Sequence, residues 1–577
     1  MVNLEVAAIL TEIADLLEIK GENPFKVRAY RRAAASISLL MDDVAQLVAA
    51  GSLRRVDGVG EAIAAKIAEY VETGRIDYHE RLLEEVPRGL IAVRNVPGIG
   101  PKLAYKMFTH LGIADLDGLR KALETGELQK VPGVGPKAEA NLRRALAEYE
   151  KSAGGYPLPA ALSRAQRFLE AVRALSGVVQ AEVAGGVRRR QERVDSVDIV
   201  AAAPAGEAVV ARVVCLEDVG DVVAQEPGKA SVRLRDGLPV QVHVVPPSAF
   251  AGALLYFTGS RQHIAALAER ARRAGFHLDE HGLAAADGAR LPAADEAELY
   301  RLLDLPFIPP ELREGKGEIE RAATGDLPRL VTARDLRGDL HVHSTWSDGE
   351  ATIEQIARRA AELGWEYVAI CDHSRSLRIA RGLGPEELKR QADEVRAVQA
   401  AYPQVRLLHG VEVDILSDGS LDLPDESLAA LDIVVASIHS ALSQERTRIT
   451  RRLVRALEHP LVDIVAHPTG RRIGHRPSYD VDFDAVLEAA ARTGKALEIN
   501  ASAGRLDLND ELAARARSAG VLLAINTDAH DLAEMETIHY GVWIARRAWC
   551  GPEAILNTRP AGSLIEWLRA RRGAQGA

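Results

Sequence analysis

The strongest constraint on the fold is a sevenfold alternation of short apolar runs and helix-length amphipathic segments that begins at residue 336. The runs are apolar almost throughout, as parallel strands buried on both faces are. Amphipathic stretches such as TIEQIARRAAELG (352–364) separate them. This alternation predicts a (β/α)-type barrel, in which functional side chains gather at the carboxyl ends of the strands. The residues at those ends are therefore the first candidates for a site.

Each run ends in residues that bind metals. GDLHVHSTWSDG (338–349) places two histidines at alternate positions, which face the same side of a strand. One such histidine is more often a core residue, but repetition at successive strand ends favours a metal site. Mixed imidazole and carboxylate ligands suit Zn²⁺, Mn²⁺ or Fe²⁺ rather than Ca²⁺. Glu498 and Asn500 are expected to support the ligands, and the nine candidates are His341, His343, Asp348, His373, Glu412, His439, His467, Asp528 and His530.

Length and composition indicate a multidomain protein without a membrane span. The chain has 577 residues, 47% of them hydrophobic and 27% charged, which is too long for one core. No apolar run approaches the length of a transmembrane helix. Three scattered cysteines predict a reducing cytoplasm, and we expect association with the nucleoid. A net charge of −10 restricts nucleic-acid binding to local basic patches.

Three similar segments in the N-terminal third predict a repeated phosphate-binding element: VDGVGEAIAAKI (56–67), VPGIGPKLAYKM (96–107) and VPGVGPKAEANL (131–142). Glycine permits a turn with positive φ, and the following helix N-terminus offers free N–H groups to a phosphate. The residues expected to contact DNA are Gly58, Gly60, Lys66, Gly98, Gly100, Lys102, Gly133, Gly135 and Lys137.

These segments resemble helix-hairpin-helix motifs, which bind DNA backbones without reading sequence. Together with GENPFKVRAYRRAA (21–34), the first one resembles the lyase domain of family X DNA polymerases. The resemblance implies that Lys66 matches the lysine that forms a Schiff base at an abasic sugar. A neighbouring family lysine falls on Ala62, so we favour phosphate contact over catalysis for Lys66.

The middle of the chain resembles the palm and thumb of the same family, through ALLYFTGSRQH (253–263) and GGVRRRQERVDSVDIV (185–200). The family motif has a serine after the first glycine and three aspartates that hold two metal ions. Here Gly186 replaces the serine, Ser196 replaces the first aspartate and Gln241 replaces the third. The resemblance implies that the nucleotide-binding residues are Gly185, Gly186, Arg189, Asp198, Tyr256 and Phe257.

These replacements predict that polymerase chemistry is absent or very weak, because a neutral serine and amide cannot hold Mg²⁺ or Mn²⁺ as three carboxylates do. Asp195 points to the opposite face of its strand from Asp198. Glu192 matches a family glutamate that is not a ligand. A further departure is Ile264, where the family usually has an asparagine.

The pattern of the nine candidate ligands along the chain resembles the motif of the PHP domain. That family has a distorted (βα)7 barrel with a trinuclear site for phosphoester hydrolysis. The resemblance implies one ion at His341, His343, Glu412 and Asp528, which we expect to be catalytic together with Arg471 as a phosphate ligand. A second ion is implied at Glu412, His439 and His467. A third is implied at Asp348, His373 and His530.

The order of segments resembles bacterial family X DNA polymerases with a C-terminal PHP domain. It predicts a lyase-like helical domain (1–85), a helix-hairpin-helix domain (86–153), a palm and thumb (154–315), a linker (316–335) and a PHP barrel (336–577). The fold class is therefore helical hairpin domains, a nucleotidyltransferase-like α+β palm and a (βα)7 barrel.

We expect a monomeric 3′→5′ exonuclease and phosphoesterase of base-excision or gap repair, using Mn²⁺ or Zn²⁺ on gapped, nicked or abasic duplex DNA. One alternative is a working gap-filling polymerase that binds dNTPs and recruits Asp195 or Glu192. The others are a non-catalytic DNA-binding scaffold and a small-molecule phosphatase.

Overall fold

The computed structural model describes residues 2–38, 44–56, 58–96, 98–153, 155–474 and 476–573. The chain divides into two compact units, residues 1–154 and 155–577. The finer five-part division expected from the sequence stays a prediction.

Unit 1 is helical throughout its described part. Its core is made mainly of Val, Ile, Leu and Ala side chains, such as Leu10 and Ile67, and it also contains Met107. Several helices end at a glycine in the left-handed region, which releases the chain into the next turn. The helices are α1 (Val2–Lys20), α2 (Pro24–Ser38), α3 (Val44–Ala49), α4 (Glu61–Thr73), α5 (Asp77–Glu85), α6 (Leu90–Arg94), α7 (Pro101–Leu111), α8 (Leu116–Thr125) and α9 (Pro136–Ala153).

Unit 2 begins with a mixed sheet and a helical thumb. Its five-stranded sheet has the order Gln180–Ala184, Val197–Ala202, Pro239–Val245, Lys229–Leu234 and Val219–Glu226. The second and third of these strands are parallel, and the other neighbours are antiparallel. The elements are β1 (Tyr156–Pro157), α10 (Leu158–Arg173), β2 (Gln180–Ala184), α11 (Gly185–Arg188), β3 (Arg193–Val194), β4 (Val197–Ala202), α12 (Gly206–Val213), β5 (Val219–Glu226), β6 (Lys229–Leu234), β7 (Pro239–Val245), α13 (Phe250–Thr258), α14 (Arg261–Arg273), β8 (Phe276–Asp279), β9 (Gly282–Ala285), α15 (Glu296–Leu302) and α16 (Glu318–Thr324).

Helix α16 lies in the stretch expected to be a linker, and it is packed rather than free. Glu318 is buried and accepts a hydrogen bond from His263 Nδ1 at 2.7 Å. His263 Nε2 in turn lies 2.8 Å from the hydroxyl of Tyr300. The start of the linker is therefore part of the thumb's polar core.

The C-terminal part of unit 2 is a seven-stranded parallel barrel, as the sequence predicted. Consecutive strands pair in chain order, and a bridge between Val342 and Ala529 brings the first strand to the last. The elements are β10 (Gly338–Val342), α17 (Ile353–Glu362), β11 (Tyr367–Ile370), α18 (Pro385–Ala401), β12 (Arg406–Asp414), α19 (Asp425–Ala429), β13 (Ile433–Ser437), α20 (Arg446–Glu458), β14 (Ile464–Val465), α21 (Phe483–Thr493), β15 (Ala496–Asn500), α22 (Asp510–Ser518), β16 (Leu523–Asn526), α23 (Ile538–Arg547) and α24 (Ala561–Gly573).

Helix α23 carries several of the contacts that join the barrel to the palm and thumb. Arg547 donates to the Arg189 carbonyl at 2.8 Å, to Glu314 at 2.8 Å and to Asp510 at 2.9 Å. The guanidinium of Arg190 lies 4.0 Å from the ring centroid of Trp543. The arginine-rich turn of the palm is therefore packed against the barrel.

None of the helices in the described part of the chain has both the length and the apolar character needed to cross a lipid bilayer.

Candidate metal centre and the palm site

The candidate ligands converge at the carboxyl ends of the barrel strands. His341 lies in β10 and Glu412 in β12, and the other histidines and Asp528 follow their strands within four residues. Positive φ at His467 and Asp528 turns the chain out of its strand at these two positions. Asp348 comes from the loop after β10. The expected clustering is therefore present in the geometry, whereas the role of each residue as a ligand stays a prediction.

The ligand atoms form three overlapping groups, within each of which the atoms lie no more than 4.8 Å apart. His343 Nε2 lies 3.0 Å from Asp528 Oδ1 and 3.2 Å from His341 Nε2. Glu412 is shared, because Oε2 lies 2.7 Å from His373 Nδ1 and Oε1 lies 2.9 Å from His467 Nε2. The groups are His341, His343, Glu412 and Asp528; His343, Asp348, His373 and His530; and His373, Glu412 and His439.

The second ring nitrogen of three histidines is anchored by an acceptor. His341 Nδ1 lies 2.8 Å from Glu498 Oε1, and His530 Nδ1 lies 2.8 Å from the Asp528 carbonyl. His439 Nδ1 lies 3.2 Å from Asp414 Oδ1. An anchored Nδ1–H leaves the Nε2 lone pair free, and Nε2 is the atom that each ring turns towards the cluster.

Several polar atoms in the cluster are buried without a hydrogen-bond partner. They include His343 Nδ1, His467 Nδ1 and Glu412 Oε2, whose 2.7 Å contact with His373 Nδ1 does not have hydrogen-bond geometry. A buried carboxylate oxygen without a hydrogen bond is costly unless a cation satisfies it. The donor set therefore fits a polynuclear transition-metal centre, although it does not select one metal.

Electrostatic coupling across the cluster is strong. Burial alone would lower the pKa of His341, but Glu498, Asp528 and Glu412 raise it well above its usual value. Burial, together with the positive charges of His530 and His373, lowers the pKa of His343 to about 3. Burial would raise the pKa of Asp348, and the neighbouring His530 and His373 nevertheless lower it to about 2. Burial would also raise the pKa values of Glu412 and Asp528, but neighbouring histidines hold them well below their usual values. These three carboxylates are thus ionised at neutral pH, as metal binding requires.

Arg505 is a site residue that the sequence reasoning missed. Its Nε lies 3.2 Å from Asp528 Oδ2, and the side chain is 17% exposed. It follows Glu498 and Asn500 in the loop after β15, so its position beyond a strand end was the available signal. Arg471, the predicted phosphate ligand, instead pairs with Glu192 at 2.6 Å and also bonds the Leu506 carbonyl.

Of the three positions in the palm where the resemblance implies carboxylates, Asp198 is the one that has an aspartate in this chain. Asp198 and Gln241 are register partners on the parallel strands β4 and β7, and Ser196 lies just before β4. His243 Nε2 lies 3.6 Å from Asp198 Oδ1. Glu192 is bound to Arg471, and Asp195 lies beside the Gly155 backbone, so neither stands in for a missing aspartate in this arrangement.

The other residues predicted to contact a nucleotide make contacts with other parts of the protein. Arg189 donates to Glu314 at 3.1 Å and to the Thr258 carbonyl at 2.6 Å. Phe257 stacks on His243 at 3.6 Å between ring centroids, and Tyr256 meets Phe257 edge-on. Side chains at Gly185 and Gly186 would collide with Asp198 and Gln191 respectively. The two glycines therefore have a packing role in the palm.

The three hairpins of unit 1 have the geometry expected of phosphate-binding turns. The first glycine of each has positive φ, namely Gly58 (73°), Gly98 (88°) and Gly133 (97°). The second glycines, Gly60, Gly100 and Gly135, precede helices and face open space. Lys102 and Lys137 occupy the second position of their helices. Asp57 and Pro97 lie outside the described residues.

Lys66 lies further along α4, against an aromatic ring. Its Nζ donates to the Ala62 carbonyl at 3.1 Å and lies 4.9 Å from the ring centroid of Tyr78. Burial is the main cause that lowers the pKa of Lys66.

Four family descriptions match successive segments. They are a helix-hairpin-helix domain over residues 1–76, a SAM-like helix-hairpin-helix tandem over 90–148, a DNA polymerase beta thumb over 253–314 and a PHP domain over 339–502. The DNA polymerase/3′-5′ exonuclease PolX of Bacillus subtilis is 37% identical over 568 residues, which cover 98% of this chain and 99% of the relative. The chain belongs to the bacterial PolX family.

Membership in PolX confirms the predicted resemblance and fold class. The chain is an enzyme whose PHP domain is a hydrolase domain, and its helix-hairpin-helix and thumb domains indicate DNA binding. The barrel alone is also similar to smaller proteins. A probable phosphatase of Thermoanaerobacter sp. is 32% identical over 246 residues, 41% of this chain and 95% of that protein. The probable phosphatase YcdX of Escherichia coli is 28% identical over 243 residues, 40% of this chain and 94% of that protein.

Proposed function

We propose that this PolX-family chain is a 3′→5′ exonuclease of DNA repair whose chemistry resides in the barrel and whose palm does not polymerise. The observation that carries the proposal is the contrast between the two sites. Eight of the nine candidate ligands of the barrel lie in three tight groups, and the ninth, His467, contacts the shared Glu412. The palm has only Asp198 beside a glutamine. Two-metal nucleotide transfer needs several carboxylates on one face, so the palm lacks the charge to hold Mg²⁺ or Mn²⁺ and a dNTP together.

The proposed reaction is hydrolysis of the terminal phosphodiester at a DNA 3′ end. The oxygen of water bonds to phosphorus, the bond from phosphorus to the preceding 3′ oxygen breaks, and that oxygen takes a proton to become the new 3′ hydroxyl. The released product is a deoxynucleoside monophosphate. Ions in the cluster, which we propose are Mn²⁺ or Zn²⁺, would supply Lewis acidity and lower the pKa of water.

The residues of this chain would contribute orientation and charge. Glu498, Asp414 and the Asp528 carbonyl hold three histidine rings with Nε2 facing the cluster. Arg505, beside Asp528, would bind a non-bridging phosphate oxygen through a charge-assisted hydrogen bond. Unit 1 would hold gapped, nicked or abasic duplex DNA through the backbone N–H groups of its three hairpins.

A 5′-labelled primer annealed in a gapped duplex tests this assignment. We expect ladder-like shortening with Mn²⁺ that releases mononucleotides and leaves 3′ hydroxyl ends. A His341→Ala, His343→Ala variant should lose the shortening while its DNA affinity is unchanged. Shortening that persists in the variant would place the nuclease outside the barrel. Rapid release of inorganic phosphate from small phosphomonoesters without any DNA shortening would instead favour the small-molecule phosphatase, which the similarity to the two probable phosphatases makes the second candidate.

A further inference from the structure

A short loop at the mouth of the barrel presents an unusual surface. The rim loop, residues 374–383, begins immediately after His373 and ends before α18. Its two ends are joined, because the Leu383 N–H donates to the His373 carbonyl at 2.7 Å and Ser374 pairs with Leu383. Any side chain at Gly382 would collide with the Ser374 carbonyl. The rim loop is therefore a closed turn.

Buried polar groups brace the base of the rim loop. Ser376 donates from its N–H to Asp422 at 2.6 Å and from its hydroxyl to Asp414 at 2.7 Å. The Asp414 N–H donates to the Ser374 hydroxyl at 3.0 Å. Ala380 is buried beneath the turn. These bonds hold the loop in one conformation, so the exposure of its tip is built in.

The tip of the rim loop is Ile379, which is 93% exposed. Exposed aliphatic side chains are common on protein surfaces and carry no meaning singly. Ile379 differs because a braced turn directly beside a candidate ligand places it in solvent. It is also the most exposed of the large hydrophobic side chains among the described residues.

The charge around Ile379 suits a nucleic acid. Arg375, Arg378 and Arg381 are exposed on the same ten-residue loop, in a chain whose net charge is −10. Arg375 lies 3.6 Å from Asp422, and Arg381 donates to the Ser347 carbonyl. Asp422 offsets part of the charge of Arg375. The positive charge of Arg378 and Arg381 at one rim of an acidic protein complements a phosphate backbone.

The rim loop also borders the open side of the cluster. The side chains of Asp348 and His530 are 35% and 34% exposed, whereas those of His341 and Glu412 are fully buried. Ser347, which accepts the bond from Arg381, immediately precedes Asp348. The rim loop therefore lies beside the most exposed residues of the cluster.

We propose that the rim loop opens the end of duplex DNA, with Ile379 inserted against the terminal base pair and the arginines on the flanking phosphates. This inference rests on the proposed function, and it names paired 3′ ends as the substrate that needs the loop. The buried ligands can reach a phosphodiester only after the terminal nucleotide leaves the helix. Aliphatic side chains such as isoleucine are wedges between base steps, whereas single-strand sites use aromatic platforms. The occupant expected is therefore a duplex end.

Fluorescence of 2-aminopurine at the 3′-terminal base of a duplex reports opening without any reaction. With EDTA present, the native full-length chain should raise the fluorescence, and Ile379→Ala should remove most of that rise at saturating protein. Ile379→Leu should keep it, as should the matched control Val223→Ala, which truncates another exposed aliphatic residue (63%) on β5. An equal rise in Ile379→Ala, or no rise with the native chain, would overturn the proposal.

Rates on paired and unpaired 3′ ends separate this proposal from the proposed function. Ile379→Ala should slow removal from a paired end by about tenfold and leave removal from a mismatched or single-stranded end unchanged. Equal slowing on both ends would contradict a strand-opening role. A native chain that shortens neither end would refute the proposed function, whereas the fluorescence result would still decide the role of the loop. A change of oligomeric mass in Ile379→Ala with unchanged fluorescence would assign the tip to contact between copies and overturn the proposal.

Discussion

Arg471 and Glu192 form a two-point ion pair, with Nη1 3.1 Å from Oε1 and Nη2 2.6 Å from Oε2. The pair joins the barrel loop after His467 to the arginine-rich turn of the palm. It neutralises one of the two carboxylates, Glu192 and Asp195, that a rearranged polymerase site would recruit. It also occupies the arginine that the sequence assigned to a phosphate, so that role requires the pair to open.

Removing the charge of Glu192 should destabilise unit 2. Glu192→Gln leaves Arg471, whose side chain is 14% exposed, without its carboxylate, and we expect a loss of about 1–3 kcal/mol in the free energy of unfolding. The matched control is Glu182→Gln in the exposed pair with Arg173, which should cost less than about 1 kcal/mol. Denaturant unfolding measures both losses in the free energy of unfolding. Equal losses would mean that the Glu192–Arg471 pair stabilises the protein no more than an exposed ion pair.

The anchor of His341 should control metal affinity. Glu498→Gln weakens the acceptor that holds His341 Nδ1–H, and we expect metal affinity to fall by about 10–100-fold. Glu318→Gln is a matched control, because Glu318 is equally buried and bonds a histidine Nδ1 in the thumb. Calorimetric titration with Mn²⁺ or Zn²⁺ compares them. Unchanged affinity in Glu498→Gln would remove Glu498 from the metal site.

Arg505 should act on phosphate rather than on stability. Arg505→Met is expected to lower kcat/KM for 3′-end removal by about 30-fold or more, because a charge-assisted hydrogen bond is lost. Arg515→Met removes an arginine of α22 that pairs with the exposed Asp484 of α21, and this change should leave the rate unchanged. If both variants behave alike, Arg505 has no contact with the substrate.

Asp510 should make stability depend on pH at the barrel's contact with the palm and thumb. Burial would raise the pKa of Asp510, but Arg547 and Lys316 lower it below its usual value. A carboxylate whose pKa is lower in the folded state stabilises the fold at pH values above its unfolded pKa of about 4. This contribution is lost as the pH falls through the folded pKa. The difference in Tm between the native chain and Asp510→Asn should therefore be constant above about pH 5 and shrink below about pH 4.

The control for this pH dependence is Asp484→Asn, which alters a carboxylate whose side chain is 85% exposed. Its difference in Tm from the native chain should be small at every pH. A difference for Asp510→Asn that persists undiminished to pH 3 would contradict the assigned ion pair.

The barrel could be predicted from the sequence because its signal is periodic and local. Each apolar run forms a single strand. A residue at the end of such a run can therefore be placed at the carboxyl end of the barrel without knowing any distant contact. His341, Glu412 and Asp528 converge for this reason. The positions of Lys102 and Lys137 at the starts of helices could be predicted equally well, because a glycine pair directly precedes each helix in the sequence.

The contacts between the palm, the thumb and the barrel could not be predicted. Glu192 and Arg471 are 279 positions apart in the chain, and nothing in either local pattern indicates the other. Arg505 was missed because its loop has no periodicity. Glu318 lies in the stretch predicted to be a linker, and its contact with His263 arises only through tertiary packing.

The central claim is that the barrel hydrolyses DNA and the palm no longer polymerises. A 5′-labelled primer on a gapped template with Mn²⁺ and all four dNTPs tests both halves at once, with Asp198→Ala and His341→Ala, His343→Ala variants beside the native chain. We predict that the primer only shortens, that Asp198→Ala shortens it equally, and that the barrel variant leaves it unchanged. A primer that lengthens with the barrel variant, and stops lengthening when Asp198 is also removed, would contradict this account and establish a working polymerase.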